Sequence, residues 1–434
     1  MKHLTVLMVL AGLSNLAHAG DLLDVYRDAQ AYDAKYASAR AQLEAGREKA
    51  PQARAGLLPN IGANASTTYT RTDISRPMER EYGYNTNGYG VQLTQPLFNV
   101  QSWITAKQGE IAVSLAEIQF SGAQIDLALR TAQAYFDVLY AEDTLSYVQS
   151  LKTAAEEQLQ LATKSFEVGT VTVTDVNEAQ SRFDLAAAQE IAALNEVSVK
   201  RQALQVLTGK EAGSLNHLRP GVNLTLPQPA DMGQWVLSAE RDNLDVQAQT
   251  LALENAQKEL DRARAGHLPT LNATAGYNRN HATNGSSGET LGKGWSVGLN
   301  LSIPIYQGGG VQSRVRETHA LVDKAKSDLD LAKRTAAQSA RQSYLGVTSG
   351  IAQIKGYEAA LVSSQSALDS NKLGYQVGVR INIDVLNAQT QLADTQQKLA
   401  RARYEAIMAQ LKLKTSVGAL TLKDLDEVNA LLQR

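Results

Sequence analysis

Hydrophobic and polar positions alternate with two different periods along this chain, and the changes of period mark its elements. From Asp21 to Leu57 the residues are mostly Ala, Gln, Glu, Lys and Arg, good helix formers, and the stretch reads as helix. The period then drops to two. Ile61, Ala63, Ala65, Thr67 and Tyr69 alternate with Gly62, Asn64, Ser66 and Thr68, as in a strand with one polar face. A loop with Pro77 and clustered charge is expected over Thr70–Tyr82, followed by a second strand, YGVQLTQP. Helix resumes from Asn99 to about Phe166, with Ile111, Ile118, Ile125, Ala132 and Leu139 one heptad apart. A further helix runs from about Asp175 to Leu207.

The same series is then written again. ARAGLLPN at Ala53 returns as ARAGHLPT at Ala263, and GVQLTQPLF at Gly90 returns as GLNLSIPIY at Gly298. Offsets of about 209 residues describe a duplicated unit of domain size, not a short solenoid. The first repeat spans 20–219, a proline-rich linker 220–230, and the second repeat with a C-terminal segment 231–434. In the second half, helix is expected over about Gln234–Ala265, then strands LNATAGYN and WSVGLNLSIP around a loop over Asn278–Gly294. Trp295, Val297, Leu299, Leu301 and Ile303 give the strongest period-two signal in the chain. A long helix over Val311–Leu373 and a shorter one over Asp384–Lys414 complete the unit. Pro59, Pro96, Pro269 and Pro304 sit where helix meets strand, because proline stops a ladder and cannot continue a helix. QGGG at Gln307–Gly310 lacks a following GK[ST] and a βαβ setting, so it reads as a tight bend and not a phosphate cradle.

The first residues carry a targeting pattern. Lys2 and His3 precede an apolar run from Leu4 to Leu16, and Ala17-His18-Ala19 has the form of a cleavage site, so residues 1–19 read as a signal peptide. After it, no apolar run approaches the ~20 residues that a membrane helix needs. If the chain crosses a membrane, strands must do it. Four strands of about ten residues, apolar on one face and small or polar on the other, match barrel spans. Tyr69, Tyr82, Tyr84, Tyr89, Tyr277 and Trp295 are candidates for interfacial aromatics. Membrane barrels close with at least about eight strands, so four per chain require an oligomer. Two chains would supply eight strands and three would supply twelve.

The long helices, at nearly seventy residues each, would extend roughly 100 Å. No globular core needs that length, whereas a tall tube of helices does. A trimeric coiled-coil stalk or adhesin without a lumen is the competing architecture. Its seam would stay apolar at strict a and d positions, which these helices do not maintain, and an adhesin head would need longer loops.

Composition removes other classes. A formal net charge of −2 offers no basic surface for nucleic acid. Cysteine is absent, which removes disulfides, thiolate metal sites and a lipid-carrying cysteine. The six histidines are scattered, and no nucleophile–base pair, metal cluster or cofactor motif is present, so neither an enzyme nor a cofactor is expected.

One motif occurs in both halves with different polar groups: SFEVGTVTVTDVNEAQ from Ser165 and GYQVGVRINIDVLNAQ from Gly374. Both read as turns between helices, with Gly169 and Gly378 where a left-handed residue is wanted. Asp175 and Asp384 begin the returning helices, and each would face a helix dipole favourably. The dipole does not account for the difference between the copies. The first offers acceptors, Thr174 and Asp175, and the second offers donors, Tyr375 and Arg380. A link between neighbouring hairpins would use them, and surface charge variation is the alternative.

SIPIYQGGGV, AGHLPTL, AYFDVLYA, YQVGVRINIDVLNAQ and the doubled layout resemble the TolC outer-membrane exit-duct family over essentially the whole mature chain. The resemblance implies an α+β membrane protein. Its trimer would form a twelve-stranded antiparallel β-barrel in the outer membrane, continued by a long α-helical barrel across the periplasm. It implies periplasmic adaptor proteins and inner-membrane transporters of the RND or ABC type as partners, in efflux and type I secretion. Thr174, Asp175, Tyr375 and Arg380 match the family's tip-closing network, and Asp384 matches a ring carboxylate at the constriction. Val168-Gly169 and Val377-Gly378 match the turns that meet the adaptor. The chain departs at Asn387, where the family pattern has a second aspartate, and that puts strong cation selectivity in doubt.

Overall fold

The computed structural model describes residues 20–75, 79–211, 213–285 and 288–433. The signal peptide read over residues 1–19 lies outside the described residues, as does Pro77. Each half runs from short helices through two strands to a long helix and a shorter returning one, and the second half adds one more short helix. The first half contains α1 (Leu22–Tyr32), α2 (Ala34–Arg47), α3 (Lys49–Ala55), β1 (Asn60–Ile74), β2 (Arg80–Phe98), α4 (Val100–Glu167) and α5 (Val173–Thr208). The second contains α6 (Met232–Asp242), α7 (Leu244–Arg264), β3 (Thr270–Gly285), β4 (Gly288–Ser302), α8 (Gly310–Gln376), α9 (Asn382–Ser416) and α10 (Leu422–Asn429).

The leading helix expected in each half is broken. At Asp33 the carboxylate accepts from the Tyr36 amide at 2.7 Å and from two Arg130 nitrogens at 2.9 and 3.0 Å. The Arg130 bonds hold that carboxyl below its usual range against the opposing effect of burial. Asn243, the counterpart of Asp33 in the second half, separates α6 from α7 and donates to the Ser416 carbonyl at 2.9 Å. Asp and Asn are only mildly unfavourable inside a helix but strongly favoured as caps, so composition alone does not reveal such a break. A second break precedes α3, which places Pro51 in its first turn, where a missing N–H costs nothing.

The chain groups into two compact units, each drawing on both halves. One contains Ala39–Ser121 and Leu244–Thr335. Its strands form one antiparallel sheet in the order β1-β2-β3-β4. The register sets Ala63 beside Val91, Val91 beside Tyr277, and Tyr277 beside Trp295. The same face continues through Ile61 and Leu93 to Leu271, Leu299 and Leu301, so a single apolar band crosses all four strands. The opposite face carries Asn64, Ser66, Gln92, Thr274, Ser296 and Asn300. Among the described residues, no helix packs across either face. Every residue of β4 is exposed, including Trp295 at 81% and Val297 at 75%.

The strands are longer than the sequence pattern indicates, at 15 to 19 residues. The loops expected over Thr70–Tyr82 and Asn278–Gly294 are mostly strand, with β1 reaching Ile74, β2 starting at Arg80, β3 reaching Gly285 and β4 starting at Gly288. Above Tyr89, Tyr277 and Trp295 the formerly apolar face turns polar, with Arg279, Lys293, Asn87 and His281 in register. Strand that is polar on both faces has no period-two signal, so hydrophobic patterning detects only the apolar portion. Tyr69, Tyr82 and Tyr84 lie in that polar continuation, beyond the aromatic row.

In the same unit α2 and α3 lie close against α4. A Cβ added at Gly109 would stand 2.5 Å from the Ala53 Cβ, so glycine is required for this approach. Next to the strand ends, Glu259 accepts from Arg262 at 2.7 Å and Arg314 at 2.9 Å. The Arg262 bonds chiefly hold its carboxyl down to about 2.

The other unit contains the described residues through Ser38, Gly122–Asn243 and those from Ala336 onward. Its core joins Tyr135, Phe136 and Leu139 of α4 to Tyr404, Ile407 and Leu411 of α9, all buried. The Tyr135 hydroxyl donates toward the Asn216 carbonyl at 2.9 Å, and Gly20 bridges to Leu215 and Leu218 to Leu432, so both ends of the described chain pack against the last residues of the first repeat.

Candidate pore constriction at the helical hairpins

Two helical hairpins within this second unit carry the residues singled out from the sequence. In the first, α4 ends at Glu167, and Gly169 adopts φ +75°, the left-handed conformation that lets the chain reverse without a Cβ clash. The Thr170 amide returns to the Ser165 carbonyl at 2.9 Å. In the second, α8 ends at Gln376, Gly378 adopts φ +81°, and the Val379 amide returns to the Gly374 carbonyl at 2.9 Å. The glycine positions read from the sequence therefore have the conformation that glycine serves best.

The returning helices begin differently. Thr172 caps α5 in a reciprocal box: the Asp175 amide donates to the Thr172 Oγ1 at 3.4 Å, and the Asp175 carboxylate accepts from the Thr172 amide at 2.8 Å and hydroxyl at 2.7 Å. The Thr172 hydroxyl first, and its amide second, lower the Asp175 pKa. In the other copy Ile381 occupies the cap position and supplies no side-chain bond. Asp384 thus has no capping partner. It lies 3.6 Å from Arg380, one turn before it on the same chain segment. Thr172 is a residue that sequence reasoning missed, although its replacement by Ile381 in the sister copy carries the signal.

Among the described residues, no hydrogen bond or ion pair joins Tyr375 or Arg380 to Thr174 or Asp175 within the single chain. The hairpins are joined elsewhere. Ala162 of α4, Ala179 of α5 and Leu386 of α9 form a buried cluster, with Leu159 and Val176 against it. At its edge Arg182 donates from Nη2 to the Asn387 Oδ1 at 3.1 Å. The turns expose apolar side chains to solvent: Val168, Val377, Val379 and Ile381 are each 60% or more exposed.

Comparison with known proteins bears on the family and the fold of the chain. The family described as outer membrane efflux protein matches residues 25–210 and 235–419, one block in each repeat. The chain is 34% identical over 450 residues to the outer membrane protein TolC of Escherichia coli strain K12, covering 100% of this chain and 90% of that one. It is 28% identical over 421 residues to the alkaline protease secretion protein AprF of Pseudomonas aeruginosa, covering 95% of this chain and 88% of that one. The crystal structure of the Campylobacter jejuni CmeC outer membrane channel superposes with a TM-score of 0.80 at 18% identity, covering 95% of this chain and 90% of that one. Four strands are too few to close a barrel, and the fold shared with such channels pools twelve strands from three chains and continues them as a helical barrel. The chain therefore belongs to the outer membrane efflux protein family and is an outer-membrane exit duct whose tunnel extends into the periplasm.

Proposed function

We propose that three copies of this chain form a duct that serves both drug efflux and type I protein secretion, and that the hairpins close it at the periplasmic end. The observation carrying the duct is the sheet with two uncovered faces. A soluble sheet buries at least one face in its own chain, whereas a barrel wall presents one to lipid and the other to an aqueous lumen. Likeness to a protease secretion protein supports a lumen wide enough for polypeptide when open.

In this reading Asp384, with Asn387 one turn further, lines the constriction, and three carboxylates focus field there. Tyr375 and Arg380 of one hairpin reach Thr174 and Asp175 of a neighbouring hairpin in the assembled trimer. That contact competes with the Arg380–Asp384 pair found in the single chain. The exposed valines beside Gly169 and Gly378 are the adaptor-contacting surface, because solvent-facing apolar tips at both turns favour a protein partner. An inner-membrane RND or ABC transporter would deliver cargo through that adaptor. The repeat boundaries at 20–219 and 231–434 then place one hairpin in each repeat.

The test is twofold. The protein in detergent should have the mass of three chains, and its expression in a cell lacking its own exit duct should restore both drug tolerance and protease export. A stable monomer, or failure of both exports with the trimer present in the outer membrane, would contradict the proposal.

A further inference from the structure

The hydrogen bond between Arg182 and Asn387 places a cation where the constriction is expected to be negative. Asn387 follows Asp384 by three positions on α9, so the two share one helix face a turn apart. Arg182 reaches Asn387 from α5 at 3.1 Å. Arg182 also lines a small cavity with Leu151, Leu185 and Leu386. A guanidinium keeps its charge throughout the physiological range. The repeat comparison isolates this residue too, since the position of Arg182 in the second copy is occupied by Gln391.

We propose that Arg182 is a further selectivity-determining residue of the tip, which latches α5 to α9 through Asn387 and balances the Asp384 carboxylate with a positive charge. The proposal rests on the reading of Asp384 and Asn387 as the constriction. In a trimer three guanidinium groups would accompany three carboxylates, so the ring would be nearly neutral overall. The amide at position 387 suits this arrangement because it accepts the bond without adding a negative charge that Arg182 would cancel. A consequence follows for Asn387→Asp. The new carboxylate would pair with Arg182, and its field in the pore would be largely lost.

The experiment measures ion selectivity and resting conductance of the purified trimer in planar bilayers under a potassium chloride gradient. The variants are Arg182→Gln, Asn387→Asp, the double variant, and Asp384→Asn. Arg182→Gln should raise the cation-to-anion permeability ratio roughly threefold or more, the scale of one unscreened charge in a narrow lumen. Asn387→Asp alone should change it little, and the double variant should exceed the sum of the single effects. A merely structural latch would alter conductance without this coupling in selectivity. If Asp384→Asn shifts selectivity while Arg182 and Asn387 act additively, the Arg182 proposal is overturned and the constriction reading stands. If the Arg182–Asn387 pair couples while Asp384→Asn has no effect, Arg182 sets selectivity and the carboxylate ring does not. If no variant shifts selectivity, both fall.

Discussion

Nδ1 of His217 lies 3.4 Å from Oδ1 of Asp143, joining the end of the first repeat to α4. The neighbouring Glu142 lies 3.3 Å from Nε2 of the same ring, and Arg201 donates to Glu142 at 2.6 Å. Tyr404 completes the cluster from α9, with its hydroxyl 2.6 Å from Asp143. The imidazole between two carboxylates thus ties the end of the first repeat to α4, and Tyr404 links the same cluster to the second repeat.

That tie should make stability depend on pH. Asp143 first, and Glu142 second, push the His217 pKa up to about 9. A raised histidine pKa contributes stability that is complete below the unfolded value of about 6.5 and is lost as pH rises through 9. Glu142 behaves oppositely: burial alone would raise its pKa, but the bonds from His217 and Arg201 lower it, so its contribution is lost on acidification. The melting temperature followed by circular dichroism should therefore fall between neutral and alkaline pH. His217→Gln should lower it by roughly 2–4 °C at neutral pH and flatten the alkaline decline. The half-exposed ring keeps the effect modest. An equally steep alkaline decline in the variant would place the sensitivity elsewhere.

Helix packing gives a second expectation, internal to the unit that carries the sheet. Gly109→Ala adds a Cβ against Ala53 and within 3.0 Å of the Lys49 carbonyl, so α3 must shift from α4. Overpacking of this kind costs about 1–3 kcal/mol and should reduce assembled trimer on a semi-native gel. Gly56→Ala is the control, because its Cβ would meet its nearest atoms at ordinary distance, 3.7 Å. Equal yields from the two variants would show that the close approach is not required.

Much of this architecture is legible in the sequence, for a physical reason. Duplication makes each copy a control on the other, so the four long helices and the left-handed glycines of the two hairpins, Gly169 and Gly378, can be placed from the spacing of repeated motifs. Strand ends are not legible, because beyond Trp295 both faces are polar and the alternation vanishes. The breaks at Asp33 and Asn243 depend on tertiary partners, Arg130 and the Ser416 carbonyl, that lie far along the chain. At the tip, Asp175 and Asp384 look equivalent in sequence and differ in structure, since Thr172 captures one in a capping box and the other, behind Ile381, faces Arg380 instead. Arg182 shows only as a difference from Gln391, and its bond to Asn387 requires three-dimensional proximity to see.

Whether the hairpin asymmetry closes the duct is decided by single-channel recording of the Tyr375→Phe, Arg380→Ser double variant in planar bilayers. Hydrogen bonds to charged groups contribute about 1.5–3 kcal/mol when shielded and much less when exposed, and three repeated links can shift a two-state tip by roughly tenfold or more. With the link removed, resting conductance should rise several-fold above that of the unaltered trimer, with assembly and melting temperature unchanged. A double variant that stays at the original resting conductance would contradict closure by this link.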